Sequence, residues 1–310
     1  MTGRKFIIPI RTRVGKKKFM VFCLTLLIFL TLILLKIVIN EFNRSYVIHT
    51  LVDPVIEEEE IKEAMDPKLK ETWLTNKAIN PDYVGQIIFD SGIIDLPIVQ
   101  ARSVYDRNGD LYTFYTEEGQ LVTDPEGYTG NDVYIWSNWK SHEYDPDGEG
   151  GSVFMHYQND LSDQNLIIFG HHFARDYLPE GDREFTPLDL LLDQENYESN
   201  KSLKLIFNDE IREYVITNVF VININDDYDT QIMRTDMNRD LSGNHDPSFF
   251  KSFIDHMNEI SAYRTGETVN TDDRILTLIT CIEHQPELRE IVVFRQTGSG
   301  KEETPDNHID

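Results

Sequence analysis

The stretch Arg274-Ile-Leu-Thr-Leu-Ile-Thr-Cys281-Ile-Glu-His-Gln-Pro-Glu-Leu-Arg289-Glu-Ile-Val-Val-Phe-Arg-Gln296 holds two apolar, strand-like runs, 275–279 and 291–294. A short polar connection joins them, opening on Cys281 and closing on Arg289. A thiol at the end of one strand therefore faces a guanidinium at the start of the next. That arrangement suits a nucleophile, because a thiolate attacks and a fixed cation stabilises it or the oxyanion it creates. Within the stretch only His284 competes for contact with the thiol, and a base is otherwise lacking.

A base stands about a hundred residues upstream, in Asn165-Leu-Ile-Ile-Phe-Gly170-His171-His172-Phe173, where a buried-strand pattern ends and a histidine follows at once. A Cys and a His at the ends of separate strands can meet in space although they are distant in sequence. A strand ending in Gly-His, the run Thr277-Leu-Ile-Thr-Cys281 and an Arg shortly after resemble the sortases, membrane-anchored cysteine transpeptidases of Gram-positive bacteria. Gly-His-His at 170–172, an Arg eight positions after Cys281 and a long acidic and helical insertion before the cysteine strand resemble class B.

The resemblance spans roughly residues 80–296. It implies a closed sortase-type β-barrel, with Cys281, His171 and Arg289 as the catalytic residues. The implied reaction cleaves a sorting signal after Thr through a Cys281 acyl-enzyme. The protein is then transferred to an amine of the peptidoglycan precursor or of a pilin, and no cofactor or metal takes part. Within Gly-His-His, neighbouring residues at a strand end point to opposite sides, so only one faces Cys281. The match to the family assigns that place to His171. His172 is then expected to line the groove, Thr280 and Ile279 to neighbour the substrate, and Arg295, on the same face as Arg289 by period two, to be a structural or rim charge.

Eight Lys and Arg and no acidic residue occur in the first forty positions, and residues 19–35 are uncharged, with 37–39 extending the run past Lys36. At 1.5 Å per residue this nearly spans a hydrocarbon core of about 30 Å. Residues 1–18 read as a basic cytoplasmic tail and 19–39 as a single transmembrane anchor, since a cleaved signal has a shorter apolar core and small residues at its end. The rest of the chain is then expected outside the cell. Without those eight cations, 21 Lys and Arg remain against 54 Asp and Glu, a charge of about −33. That sign repels nucleic acid and excludes it as a partner. Cys23 lies in the apolar run, leaving Cys281 without a disulfide partner in an oxidising compartment, which calls for a chemical role.

Residues 40–79 read as a polar linker with an N-terminal helix, and 80–297 as the catalytic domain. Short runs at 80–89, 94–100, 133–136, 152–156, 166–169, 203–207, 214–222, 275–280 and 291–295, separated by Gly, Asn and Asp, predict a mainly β domain, a sandwich or closed barrel. Two helices interrupt it. One starts at Thr186-Pro187; the other, Asp246-Pro-Ser-Phe-Phe-Lys-Ser-Phe-Ile, opens on a cap and a proline, with Phe250, Phe253, Ile254 and Met257 at helical spacing. Residues 298–310 read as a disordered tail. Asp145-Pro-Asp-Gly-Glu and Asn223-Ile-Asn-Asp-Asp-Tyr-Asp are oxygen-rich but do not complete a calcium loop, and read as turns. Ile279 stands where class B enzymes often carry Ser, which bears on the sorting signal. Two further readings stay open on the same residues: a hydrolytic cysteine endopeptidase, and a catalytically silent wall-associated binding module.

Overall fold

Alternation decides the architecture. In β1 (Tyr83–Phe89) every second residue is buried, Tyr83, Gly85, Ile87 and Phe89, so one face of the strand belongs to a core. In the computed structural model the described residues are 67–114, 120–123, 126–140, 151–173, 184–208, 210–239, 244–282 and 284–300. Strand β1 is followed by β2 (Asp95–Val99), β3 (Phe154–Met155), β4 (Asn165–Phe169), β5 (Ser202–Ile206), β6 (Ile211–Asn223), β7 (Ile275–Ile282) and β8 (Gln285–Gly300). They close in the order β1-β2-β3-β4-β7-β8-β6-β5. All neighbours are antiparallel except β2 with β3 and β4 with β7. Closure removes the free sheet edges that would invite aggregation.

The barrel is two-sided. Its interior is filled by residues such as Ile87, Phe89, Ile168, Leu278, Val292 and Phe294. On β7 and β8 the alternate residues Ile275, Ile279, Ile291 and Val293 face outward, where α4 (Pro247–Ile260) covers them with Phe250, Phe253 and Met257. Asp246 caps this helix by accepting from Ser248 N–H at 2.9 Å, and Pro247 occupies its first turn. Full burial of each of these side chains contributes on the order of 1.5–3 kcal/mol. The N-terminal helix α1 (Pro67–Ile79) lies against β1: Lys77 Nζ donates to Tyr83 O at 2.7 Å, and Trp73 meets the Tyr83 ring edge-on.

Four expectations are corrected. Residues 133–136, with their strand-like Val-Tyr-Ile-Trp composition, form helix α2 (Gly130–Trp136). Thr129 N–H donates to Asp132 Oδ2 at 2.6 Å, the reciprocal half of a capping box, and burial of Val133 and Tyr134 overrides their β preference. A Cβ on Gly130 would stand 2.1 Å from Ala101 O, so this helix start can approach the barrel only without a side chain. The segment at Thr186–Leu192 is a 3-10 helix rather than an α-helix, followed by a second 3-10 turn and α3 (Tyr197–Asn200). The polar connection is far shorter than the sequence suggests, because β7 runs to Ile282 and β8 starts at Gln285. Residues 298–300 are in β8, paired with residues 211–213, so the tail does not begin at 298.

The expected basic tail (1–18), the expected transmembrane anchor (19–39), the expected linker up to residue 66, the Asp145 motif and residues 301–310 lie outside the described residues. Among the described residues no helix is long and apolar enough to cross a membrane. Residues 223–229 form a series of turns closed by their own side chains: Asn223 Oδ1 accepts from Asn225 N–H, and Asp226 Oδ1 from Tyr228 N–H.

Candidate active site

Register pairs two of the sequence-predicted residues, Cys281 and Arg289, and brings the third to the end of a neighbouring strand. Strand β4 pairs in parallel with β7, from Asn165↔Ile275 to Phe169↔Ile279, a constant offset of 110. Gly170 extends the pairing past the strand end: its N–H donates to Ile279 O at 3.2 Å, and its carbonyl accepts from Thr280 Oγ1 at 2.8 Å. His171 follows Gly170 just as Cys281 follows Thr280, at the same end of the two strands. Across the other ladder Cys281 is paired with Arg289. Adjacent strands lie about 4.8 Å apart, so Cys281 and Arg289 are direct neighbours. By period two, Cys281 and Arg289 share the outward face with Ile279 and Ile291.

Cys281 is a half-exposed free thiol at the point where the β7–β8 register shifts, a bulge that re-aims side chains. The His171 ring is held on several sides. Its Nε2 lies 2.6 Å from Ile135 O; a carbonyl only accepts, so Nε2 carries the hydrogen and Nδ1 is left for chemistry. Trp136 and Phe173 flank the ring at centroid distances of 6.5 and 5.5 Å. Gly151, at φ 87°, is so close that a Cβ there would stand 2.3 Å from His171 Cδ2. Among the described residues no hydrogen bond joins the His171 ring to Cys281. The Arg289 guanidinium is folded onto its own hairpin, Nη1 donating to Pro286 O at 2.7 Å and Leu288 O at 2.8 Å.

The remaining predicted residues are placed elsewhere. His172 does not line a groove: its side chain is 7 % exposed, with Nε2 3.9 Å from Asp189 Oδ2 on the 3-10 segment and Nδ1 buried without a partner. Thr280 is buried, its hydroxyl committed to Gly170 O, and Ile279 is part of the core beneath α4, so neither presents a surface to a peptide. Their positions follow from period two and from the depth of β7. Arg295 donates from Nη2 to Glu267 Oε2 at 2.6 Å, a structural tie. His284 is exposed in the hairpin turn at φ 59°.

Sequence reasoning missed the acids and the backbone beside His171 and Arg289. Glu184 Oε2 accepts the His171 backbone N–H at 2.6 Å. Glu290, beside Arg289, points into the barrel opposite Thr280. It is 1 % exposed with Oε1 unpartnered, and burial, reinforced by the Asp189 charge, pushes its carboxyl up to about 8. Glu290 breaks the apolar alternation of its strand, which was a legible signal. Gly151 closes the Gly-rich run Gly148-Glu-Gly-Gly, another one. Nothing local marks Ile135 O or Glu184.

No protein-family model matches the chain. It is 26% identical over 200 residues to sortase B of Staphylococcus aureus, covering 63% of this chain and 72% of the relative. It is 22% identical to sortase B of Listeria monocytogenes over 205 residues, 66% of this chain and 64% of that one. A solved structure of a mutant form of Clostridium perfringens sortase B superposes with a TM-score of 0.56 at 22% identity, covering 81% of this chain and 95% of that one. The matches support a class B sortase.

Proposed function

We propose that this chain is a cysteine transpeptidase of the cell envelope that cleaves a sorting signal after Thr and joins the released protein to an amine. The observation that supports the reading is Cys281 paired with Arg289 across β7–β8, with His171 just beyond the end of β4, the strand that pairs with β7. The Cys281 thiolate, paired with protonated His171, attacks the Thr carbonyl carbon. The tetrahedral oxyanion is stabilised by Arg289, once the guanidinium leaves its hairpin carbonyls, and by backbone N–H groups. The C–N bond to the following residue then breaks as His171 gives its proton to the leaving amine, and a thioester remains. An acceptor amine attacks the thioester, His171 takes up the proton, and the thiolate departs from a new amide. The amine belongs to a peptidoglycan precursor or a pilin. Residues 19–39 anchor the chain in the membrane once, with the basic tail in the cytoplasm and the catalytic domain outside.

The test is mass spectrometry of residues 41–310 with peptides bearing Asn-Pro-x-Thr and Leu-Pro-x-Thr signals and an added amine. The expected result is a thioester on Cys281 that the amine releases as an amide, absent in Cys281→Ala and His171→Ala. Release as a free acid at the same rate with or without amine would make the chain an endopeptidase. No adduct from any peptide, together with an unreactive Cys281, would refute the enzyme reading.

A further inference from the structure

Glu184 is not required by the catalytic scheme, yet it is fixed to the residue that performs the proton transfers. Its Oε2 accepts the His171 N–H at 2.6 Å, and the next residue closes the loop in the opposite sense, Phe185 N–H donating to His171 O at 3.0 Å. The two bonds clamp both backbone polar groups of His171 at the point where β4 has ended and no strand holds it. Glu184 adopts φ 48°, a left-handed conformation that costs a β-carbon residue about 1–2 kcal/mol. Such strain persists where the surroundings impose it, and here its effect is to turn the carboxylate back onto His171.

We propose that Glu184 is the positioning residue of His171, fixing its backbone through the N–H. The proposal rests on the reading of His171 as the proton-transferring residue. Loss of water pushes the Glu184 carboxyl up, against the His171 charge and the His171 N–H, which lower it.

The test separates geometry from charge. In Glu184→Gln the amide oxygen keeps the hydrogen bond and the charge is lost; in Glu184→Ala both are lost. The full-length protein in detergent micelles, labelled with nitrogen-15 at histidine, is followed by NMR amide hydrogen exchange, with the His171 signal assigned from His171→Ala. The His171 N–H exchanges at the parent rate in Glu184→Gln and about tenfold or more faster in Glu184→Ala, and kcat falls further in Glu184→Ala than in Glu184→Gln. Unchanged exchange of the His171 N–H in Glu184→Ala overturns the proposal. The exchange measurement needs no turnover. A wild-type protein that ligates no peptide would therefore count against the transpeptidase reading alone, leaving the Glu184 result to stand or fall by the exchange rate.

Discussion

Replacing Gly151 by alanine puts a methyl group where the His171 ring already is. The Cβ would lie 2.3 Å from Cδ2, 2.5 Å from Nε2 and 2.8 Å from Ile135 O. Carbon atoms in contact stand about 3.5–4.0 Å apart, so the ring must retreat by more than about 1 Å and release its 2.6 Å bond to Ile135 O. A displacement of about 1 Å of a catalytic group costs on the order of a hundredfold in rate. The backbone adds a second cost, since φ 87° disfavours alanine by about 1–2 kcal/mol, which lowers Tm by roughly 2–8 °C for a domain of this size. Gly92→Ala separates the two effects, because Gly92 has φ 80° and a methyl group placed on it would meet nothing within 4 Å. Gly92→Ala should show the backbone cost alone by circular dichroism, and only Gly151→Ala should lose about a hundredfold in kcat/KM, measured by chromatography of the amide product. Activity of Gly151→Ala within about threefold of Gly92→Ala would refute the claim that Gly151 seats His171 for catalysis.

Three further outcomes are expected. Glu290 is raised to about 8 in the folded state, so the native chain holds a proton that the unfolded chain has released; its stabilising share is complete below about pH 4.5 and is lost as pH rises through 8. Glu290→Gln should therefore gain Tm relative to the parent as pH increases over that window and level off above it; a difference that does not vary with pH would sink the argument. Arg289→Ala should lower kcat by about a hundredfold to a thousandfold with little change in KM, if the guanidinium acts on the oxyanion and not on the bound peptide; a loss confined to KM would assign it to substrate binding. Phe253→Ala should cost about 3–5 kcal/mol in urea denaturation, because the ring is fully buried between α4 and the outer face of β6–β8; a cost under about 1 kcal/mol would mean that the helix is not docked as described.

Much of the candidate site was legible because its chemistry is concentrated in residue types. An unpaired cysteine after a buried run, a histidine after another and an arginine eight positions on can be read without a structure, and period two separates His171 from His172. The strands 275–282 and 285–300 were legible for the same reason, although their ends were not: hydrophobicity fades at Cys281 while the ladder continues through polar residues to a two-residue turn. Residues 133–136 misled because Val, Tyr, Ile and Trp favour strands in general, whereas Thr129 and Asp132 cap a helix here and Gly130 lets it approach Ala101. Thr280 and Ile279 looked like groove residues from their nearness to Cys281 in sequence, but one fills the interior and the other the helix-covered face.

The mainly β class, the α4 helix with its cap and apolar stripe, the acidity that excludes nucleic acid, and the candidate nucleophile with its partners are all written into the chain locally. They are properties of composition and of short-range period. That the strand before His171 lies beside the strand that carries Cys281 is not, because it depends on the 110-residue offset of a parallel strand pair. The same holds for Ile135 O fixing the tautomer, for Gly151 leaving room for the ring, and for Glu184 and Glu290 standing as acids beside the site. Those relations join residues 13 to 36 positions apart around His171 and set Glu290 facing inward between two strands. Closing such loops depends on the whole barrel, whose packing repays the entropy of bringing distant residues together, and no local pattern encodes it.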